Sequence, residues 1–168
     1  SARSKAIIIS RGEILSSTII YHAMNASGID TELIDARQMI ITSGDTLVGD
    51  PIFDEINNRV PGIIEKGYKG MKAVITQGFI SSTIDGEPSV LGRGGSDYTA
   101  SLIGMAVDAK RIEIWTDVDG VRTADPRRVE GTKCLDQISF EEAAEMAHFG
   151  AKVLHPLTIE PAINKNIP

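Results

Sequence analysis

The stretch Leu91-Gly92-Arg93-Gly94-Gly95-Ser96-Asp97-Tyr98-Thr99-Ala100 combines residue types that suit an anion-binding turn. Glycines let the main chain approach a ligand closely, and the N–H groups left free at a helix start attract negative charge. Arg93 adds a forked cation suited to a carboxylate or a phosphate. Ser96 is placed to cap a helix, and Asp97 follows inside it, where a carboxylate complements the helix N-terminus. The same residues also suit a tight turn with a solvated arginine. A Gly-x4-Gly-Lys-Ser/Thr phosphate loop is absent, and the glycine spacing does not fit the Gly-x-Gly-x-x-Gly dinucleotide pattern.

Other residues with chemical capacity are spread along the chain. Glu13 stands at the expected start of a helix, where a carboxylate gains from the dipole. Thr116 and Asp117 close an apolar segment, and Asp119, Arg122, Asp125 and Arg127 follow in a turn-rich stretch. Three aspartates there suggest a calcium loop, but neither the EF-hand spacing nor its closing glutamate is present. Lys152 lies between Gly150 and Pro156, in a loop between two expected helices. Cys134 is the lone cysteine, with no activating pattern around it, and it reads as a small buried apolar residue in a reducing compartment. His22, His148 and His155 form no metal-ligand or triad arrangement.

These residues need a scaffold, and the hydrophobic periodicity outlines one. A helix is expected from Ile14 to Ala26, ending at Gly28, then a strand from Thr31 to Asp35. Ser43, Gly44, Asp45 and Gly49 read as a loop, and Pro51 suits the first turn of a helix reaching about Lys66, kinked or broken at Pro61. Met71 to Gln77 reads as a strand, and Phe79 to Val90 as an exposed loop or a hairpin. Ser96 opens a helix carrying Thr99, Leu102, Ile103, Ala106 and Val107 at helical spacing. Ile112 to Thr116 reads as a strand, with Asp119-Gly120 as a turn beyond it. Ser139 and Glu142 form a capping box for a helix ending at Gly150, and His155-Pro156 starts the last one. Strands alternating with helices imply crossover units and a mainly parallel sheet covered on both faces, with ligands outside the carboxyl ends of its strands.

With 168 residues, 42% apolar and 24% charged, the chain suits one compact domain. Its net charge of −6 argues against non-specific binding to nucleic acid or anionic membranes, and no apolar run reaches membrane-spanning length. A cytoplasmic location fits these features.

The glycine-rich decapeptide resembles the substrate-binding signature of aspartate kinases, within the amino acid kinase superfamily. Three further segments resemble that family in order and approximate spacing: Ser10-Arg11-Gly12-Glu13-Ile14-Leu15-Ser16-Ser17, Thr116 to Val121 with Ala124-Asp125-Pro126-Arg127, and Phe149 to Pro156. Together they cover nearly the whole chain. The resemblance implies a three-layer α-β-α sandwich of the carbamate kinase-like fold, incomplete at both ends. Residues 1–168 would be the larger, C-terminal part of the catalytic domain, without its first strand or the regulatory ACT domains.

The activity implied is ATP- and Mg²⁺-dependent phosphorylation of the side-chain carboxylate of L-aspartate to 4-phospho-L-aspartate, the first step toward lysine, threonine and methionine. By the same resemblance Glu13 would contact the substrate amino group and Arg93 its carboxylates, with Gly94, Gly95 and Ser96 lining the pocket. Asp97 and Lys152 would be catalytic, Asp97 organising active-site lysines and Lys152 meeting nucleotide phosphate. Thr116, Asp117, Arg122 and Arg127 would hold ATP. Arg122 stands where the family is expected to carry tyrosine; a guanidinium can stack on adenine or pair with phosphate. The Lys-Phe-Gly-Gly segment that grips the transferring phosphate is absent, so the chain alone is expected to show little or no kinase activity. The parent protein is expected to be a homo-oligomer. Other readings are a superfamily relative acting on glutamate, carbamate or a nucleotide, and a non-catalytic ligand-binding or assembly module.

Overall fold

The computed structural model describes residues 1–116, 119–148 and 156–168. Its long first helix, α1, runs Ala2–Ala26 and is capped by the Ser1 side chain on the Ser4 N–H. This helix starts well before Ile14, so Glu13 lies mid-helix and not in a first turn. The run Ile7-Ile8-Ile9 is a poor intrinsic helix former, yet the α-helix continues through it and through Gly12. The strand β1 follows at Thr31–Ile34, then a 3-10 turn at Ala36–Gln38.

Ser43 to Gly49 is not a loop. Ile41–Asp45 (β2) and Val48–Pro51 (β3) form an antiparallel hairpin, with Gly44 opposite Gly49. Gly44 has φ +76°, and a Cβ on Gly49 would stand 2.7 Å from Thr42 Oγ1, so these glycines are what the hairpin requires. Pro51 consequently ends a strand, and α2 begins two residues later, at Phe53–Tyr68. Pro61 does not break it. The carbonyl that loses its donor belongs to Asn57, an exposed residue, so water can serve it.

Next come β4 (Ala73–Thr76), the hairpin strands β5 (Ile80–Thr83) and β6 (Pro88–Val90), and α3 (Gly95–Ala106). The hairpin is buried, not exposed: Ile80, Ser81, Ser89 and Val90 are all at most 1% accessible. Parallel pairing joins β1 to β4 and β2 to β5, while β3 and β6 add antiparallel edges in the order β3-β2-β5-β6. Side-chain alternation along β1 sends Thr31 to Asn25 of α1 and Ile34 to the core against α2, which places helices on opposite faces. The α/β sandwich expected from the sequence is thus present. Its core comprises Ile34, Met39, Ile40, Ile56, Val60, Leu91, Leu102 and Met105.

Ile112 to Thr116 is not a strand. Ile112 donates its N–H to Pro168 O, but no strand among the described residues runs beside it. The helices α4 (Phe140–His148) and α5 (Pro156–Asn164) close the chain, and α5 packs on α3. The capping box at the start of α4 forms: Ser139 Oγ accepts from Glu142 N and Glu142 Oε2 accepts from Ser139 N.

Candidate active site

The glycine-rich turn is built by close main-chain packing. Gly92 and Gly94 both adopt positive φ, +75° and +73°, and Gly94 is the cap of α3 in the left-handed region. Ser96 is therefore not the capping residue; it and Asp97 occupy the first turn of α3, whose N–H groups have no intrahelical acceptors. A Cβ on Gly95 would meet Phe79 Cδ2 at 2.9 Å and Leu91 Cβ at 3.0 Å. A Cβ on Gly78 would meet Ser96 Cα and Cβ, both at 2.9 Å. The residues leaving β4 and the residues opening α3 thus touch backbone to backbone, at the carboxyl end of β4.

Hydrogen bonds lock this junction. Phe79 N donates to Thr99 Oγ1 at 3.0 Å, and Thr99 Oγ1 donates to Gly95 O at 2.7 Å. Phe79 O accepts from Leu91 N at 2.9 Å. Phe79 itself has φ +70°, a costly conformation for an aromatic residue, sustained by these bonds. Arg93 is exposed and forms no ion pair among the described residues.

Asp97 is half-buried beside a cleft of about 140 Å³, which Ser101, Ile112, Ile114, Phe140 and Ile159 also line. Burial pushes the neighbouring Tyr98 phenol up, and the Glu160 and Asp50 carboxylates add to that shift. Glu13 is half-buried on α1, one turn before Ser17, whose hydroxyl accepts from Gln77 Nε2 at 2.9 Å. The helix carrying Glu13 is therefore tied to the same end of β4 that meets the glycine-rich turn.

Two of the residues assigned to the nucleotide, Arg122 and Arg127, sit on an excursion, residues 119–138, closed by local bonds. Thr123 N donates to Lys133 O and Leu135 N to Val121 O, around a bridge between Arg122 and Cys134. Cys134 is exposed on this excursion and not buried as its apolar character suggested. Arg122 is committed within it, bonding Asp119 Oδ2 at 2.5 Å and Thr132 O at 3.0 Å. Arg127 is 85% exposed, and its bonds to Asp125 hold that carboxyl below the ordinary range while raising the guanidinium. Thr116 is exposed. Asp117 and Lys152 lie outside the described residues. The sequence singled out Glu13, Arg93 to Asp97, Thr116, Arg122 and Arg127, but neither Gln77 nor Thr99 nor Phe79. A polar residue ending an apolar strand just before a glycine was the signal for Gln77; the backbone conformation of Phe79 has none.

Comparison with known proteins identifies the family. The profile described as "Amino acid kinase family" matches residues 2–168. The chain belongs to the amino acid kinase family. This family member is 41% identical over 162 residues to lysine-sensitive aspartokinase 3 of Escherichia coli, covering 96% of the chain and 36% of that protein. It is 37% identical to an aspartokinase of Chlamydia muridarum, covering 98% of the chain and 37% of the relative. The structure of E. coli aspartokinase III with aspartate and ADP superposes with a TM-score of 0.93 at 38% identity, over 99% of this chain and 37% of that one. A UMP kinase from Bacillus anthracis shares the amino acid kinase fold at 17% identity and a TM-score of 0.63. The chain therefore spans little more than a third of the length of the aspartokinases it matches. Among the described residues of this member of the amino acid kinase family, no helix is long and apolar enough to cross a membrane.

Proposed function

We propose that this chain is part of an enzyme that transfers the γ-phosphoryl group of ATP to the side-chain carboxylate of L-aspartate, giving 4-phospho-L-aspartate. The observation that carries this reading is the junction at the carboxyl end of β4. There an arginine without an ion pair among the described residues, a glycine-rich turn and the first turn of α3 share one locality with the helix bearing Glu13. One cation beside free N–H groups suits two carboxylates, and one carboxylate suits an ammonium group. The similarity to aspartokinase III, whose structure contains aspartate and ADP, supports the same choice of ligands.

Within this reading Arg93 binds the substrate carboxylates, Gly94, Gly95 and Ser96 line the pocket, and Glu13 meets the amino group. The acceptor carboxylate is ionised at neutral pH, so transfer requires positioning and charge neutralisation and no general base. Asp97, half-buried at the start of α3, organises the cationic groups around the phosphate, with Lys152 among them. Thr116, Asp117 and Arg127 face the nucleotide. Arg122, held by Asp119 and Thr132, serves the nucleotide by fixing the excursion and not by a free guanidinium. Mg²⁺ accompanies ATP as the charge-neutralising ion. No group of three or more His, Cys, Asp or Glu among the described residues could cage a metal, so the ion would be held mainly through nucleotide phosphates.

Calorimetric titration of the chain is the direct test. L-Aspartate should bind, and Arg93→Ala should weaken it by about 10- to 100-fold, the range expected when a charge-assisted hydrogen bond is lost. Binding of glutamate, carbamate or UMP in preference to aspartate would overturn the reading.

A further inference from the structure

We infer that Gln77 and Ser17 are positioning residues, a buried relay that sets Glu13 against the glycine-rich turn; this rests on the aspartate reading above. Gln77 follows directly on β4 and is 5% accessible. Its Oε1 accepts from Ala36 N at 2.9 Å and its Nε2 donates to Ser17 Oγ at 2.9 Å. Ala36 N can only donate, so the orientation of the amide is settled by its partners. Ser17 Oγ in turn donates to Ile14 O at 3.0 Å, and Ser17 is also 5% accessible. One side-chain amide thereby joins the 3-10 turn after β1, the end of β4 and the middle of α1.

The two ends of this relay lie beside substrate-facing groups. Ser17 is four residues beyond Glu13 and so on the same face of α1. Gln77 precedes Gly78, which packs on the Ser96 backbone too closely to admit a Cβ. An apolar pair of similar volume would fill this space without fixing the rotation of α1 relative to β4. Buried hydrogen bonds are directional, and a fully satisfied set specifies one arrangement. Breaking the relay at Ser17 should therefore move Glu13 relative to Arg93 while leaving the excursion 119–138 unchanged.

The test compares Ser17→Ala, Ser17→Thr and Gln77→Leu with the unaltered chain, titrating L-aspartate and ADP separately and following amide hydrogen exchange at Gly78–Phe79 and Ser96–Asp97. Ser17→Ala should weaken aspartate by about tenfold, the size of one buried hydrogen bond, and leave ADP within about twofold. Ser17→Thr, which keeps the hydroxyl, should restore aspartate affinity. Equal weakening of both ligands would mean a structural role alone and overturn the inference, as would unchanged aspartate affinity in Ser17→Ala. If the unaltered chain takes up no aspartate, the proposed function fails and exchange decides the relay by itself. Faster exchange at the four amides in Ser17→Ala, reversed in Ser17→Thr, upholds it, and unchanged exchange ends it. Gln77→Leu should behave as Ser17→Ala; should it not fold, the two Ser17 variants still decide.

Discussion

The junction around β4 and the excursion 119–138 are both rich in hydrogen bonds, but they are built on opposite principles. At the junction the Gln77 bonds are buried and span long stretches of chain, 60 residues to Ser17 and 41 to Ala36. In the excursion the bonds are exposed or half-exposed and connect near neighbours, Asp119 with Arg122, Asp125 with Arg127, Thr123 with Lys133. Buried directional bonds lose their strength if the geometry shifts, since water cannot replace them. Solvated ion pairs exchange one partner for water at little cost. One region is a buried framework that holds its elements in a single arrangement, and the other is a solvated segment held by short-range bonds.

The largest test of this contrast is a cavity made under the junction. Leu102, on the core-facing side of α3, is fully buried, and Leu102→Ala should cost about 2–5 kcal/mol, read as a lower urea midpoint. Leu135→Ala removes a side chain that is 37% accessible in the excursion, and should change the midpoint by no more than about 0.5 kcal/mol. Equal effects would dissolve the distinction. Next in size is Gly78→Ala. Its added methyl would press on the Ser96 backbone, which cannot swing aside as a flexible side-chain tip would, at a cost of about 1–3 kcal/mol. It should also weaken aspartate more than ADP.

Asp35 gives a smaller effect with a defined pH dependence. Burial raises its carboxyl pKa, but the Arg37 side chain and backbone N–H outweigh this and hold it below its ordinary 3.8. A depressed carboxyl contributes stability that is present above the unfolded value and lost as pH falls through the folded one. Asp35→Asn should therefore lower Tm modestly at pH 7, and wild type and variant should converge below pH 3.8, as followed by circular dichroism. A gap that persists in acid would show that the ion pair is not its source.

The sequence made the elements around the junction legible, and it singled out residues there. Arg93 and Asp97 stand out by residue type and by their place in a glycine-rich turn before a helix, a pattern that suits an anion or a plain tight turn, and Glu13 stands out through the resemblance to the family. The parallel β1–β4 pair and α3 follow from apolar periodicity. What was hidden is what tertiary contact decides. The first half of α1 contradicts its β-branched composition, Ser43 to Gly49 pairs as a hairpin although turn residues dominate it, and Ile112 to Thr116 lacks a partner strand among the described residues despite strand composition. Gln77 carried a local signal, a polar residue closing an apolar strand before a glycine, but its partners lie 41 and 60 residues away and no local pattern names them.

The smallest expected effect bears most directly on the excursion. Asp125 Oδ1 accepts from Arg127 N at 3.0 Å, and the carboxylate also pairs with the Arg127 side chain, which is 85% exposed. Bonding to Arg127, side chain first and backbone second, lowers the Asp125 carboxyl, so by the same sign rule its contribution would disappear in acid. Solvent and salt screen the pair, so Asp125→Asn should leave Tm at pH 7 unchanged in both low and high salt. The local consequence should be visible instead. The Arg127 amide loses its charged acceptor and should exchange with solvent faster, while the Phe79 and Ala36 amides keep their wild-type rates. A fall in Tm as large as that of Asp35→Asn, or faster exchange reaching Phe79, would mean that the excursion is mechanically part of the junction, and the division between a buried junction and a solvated excursion would have to be abandoned.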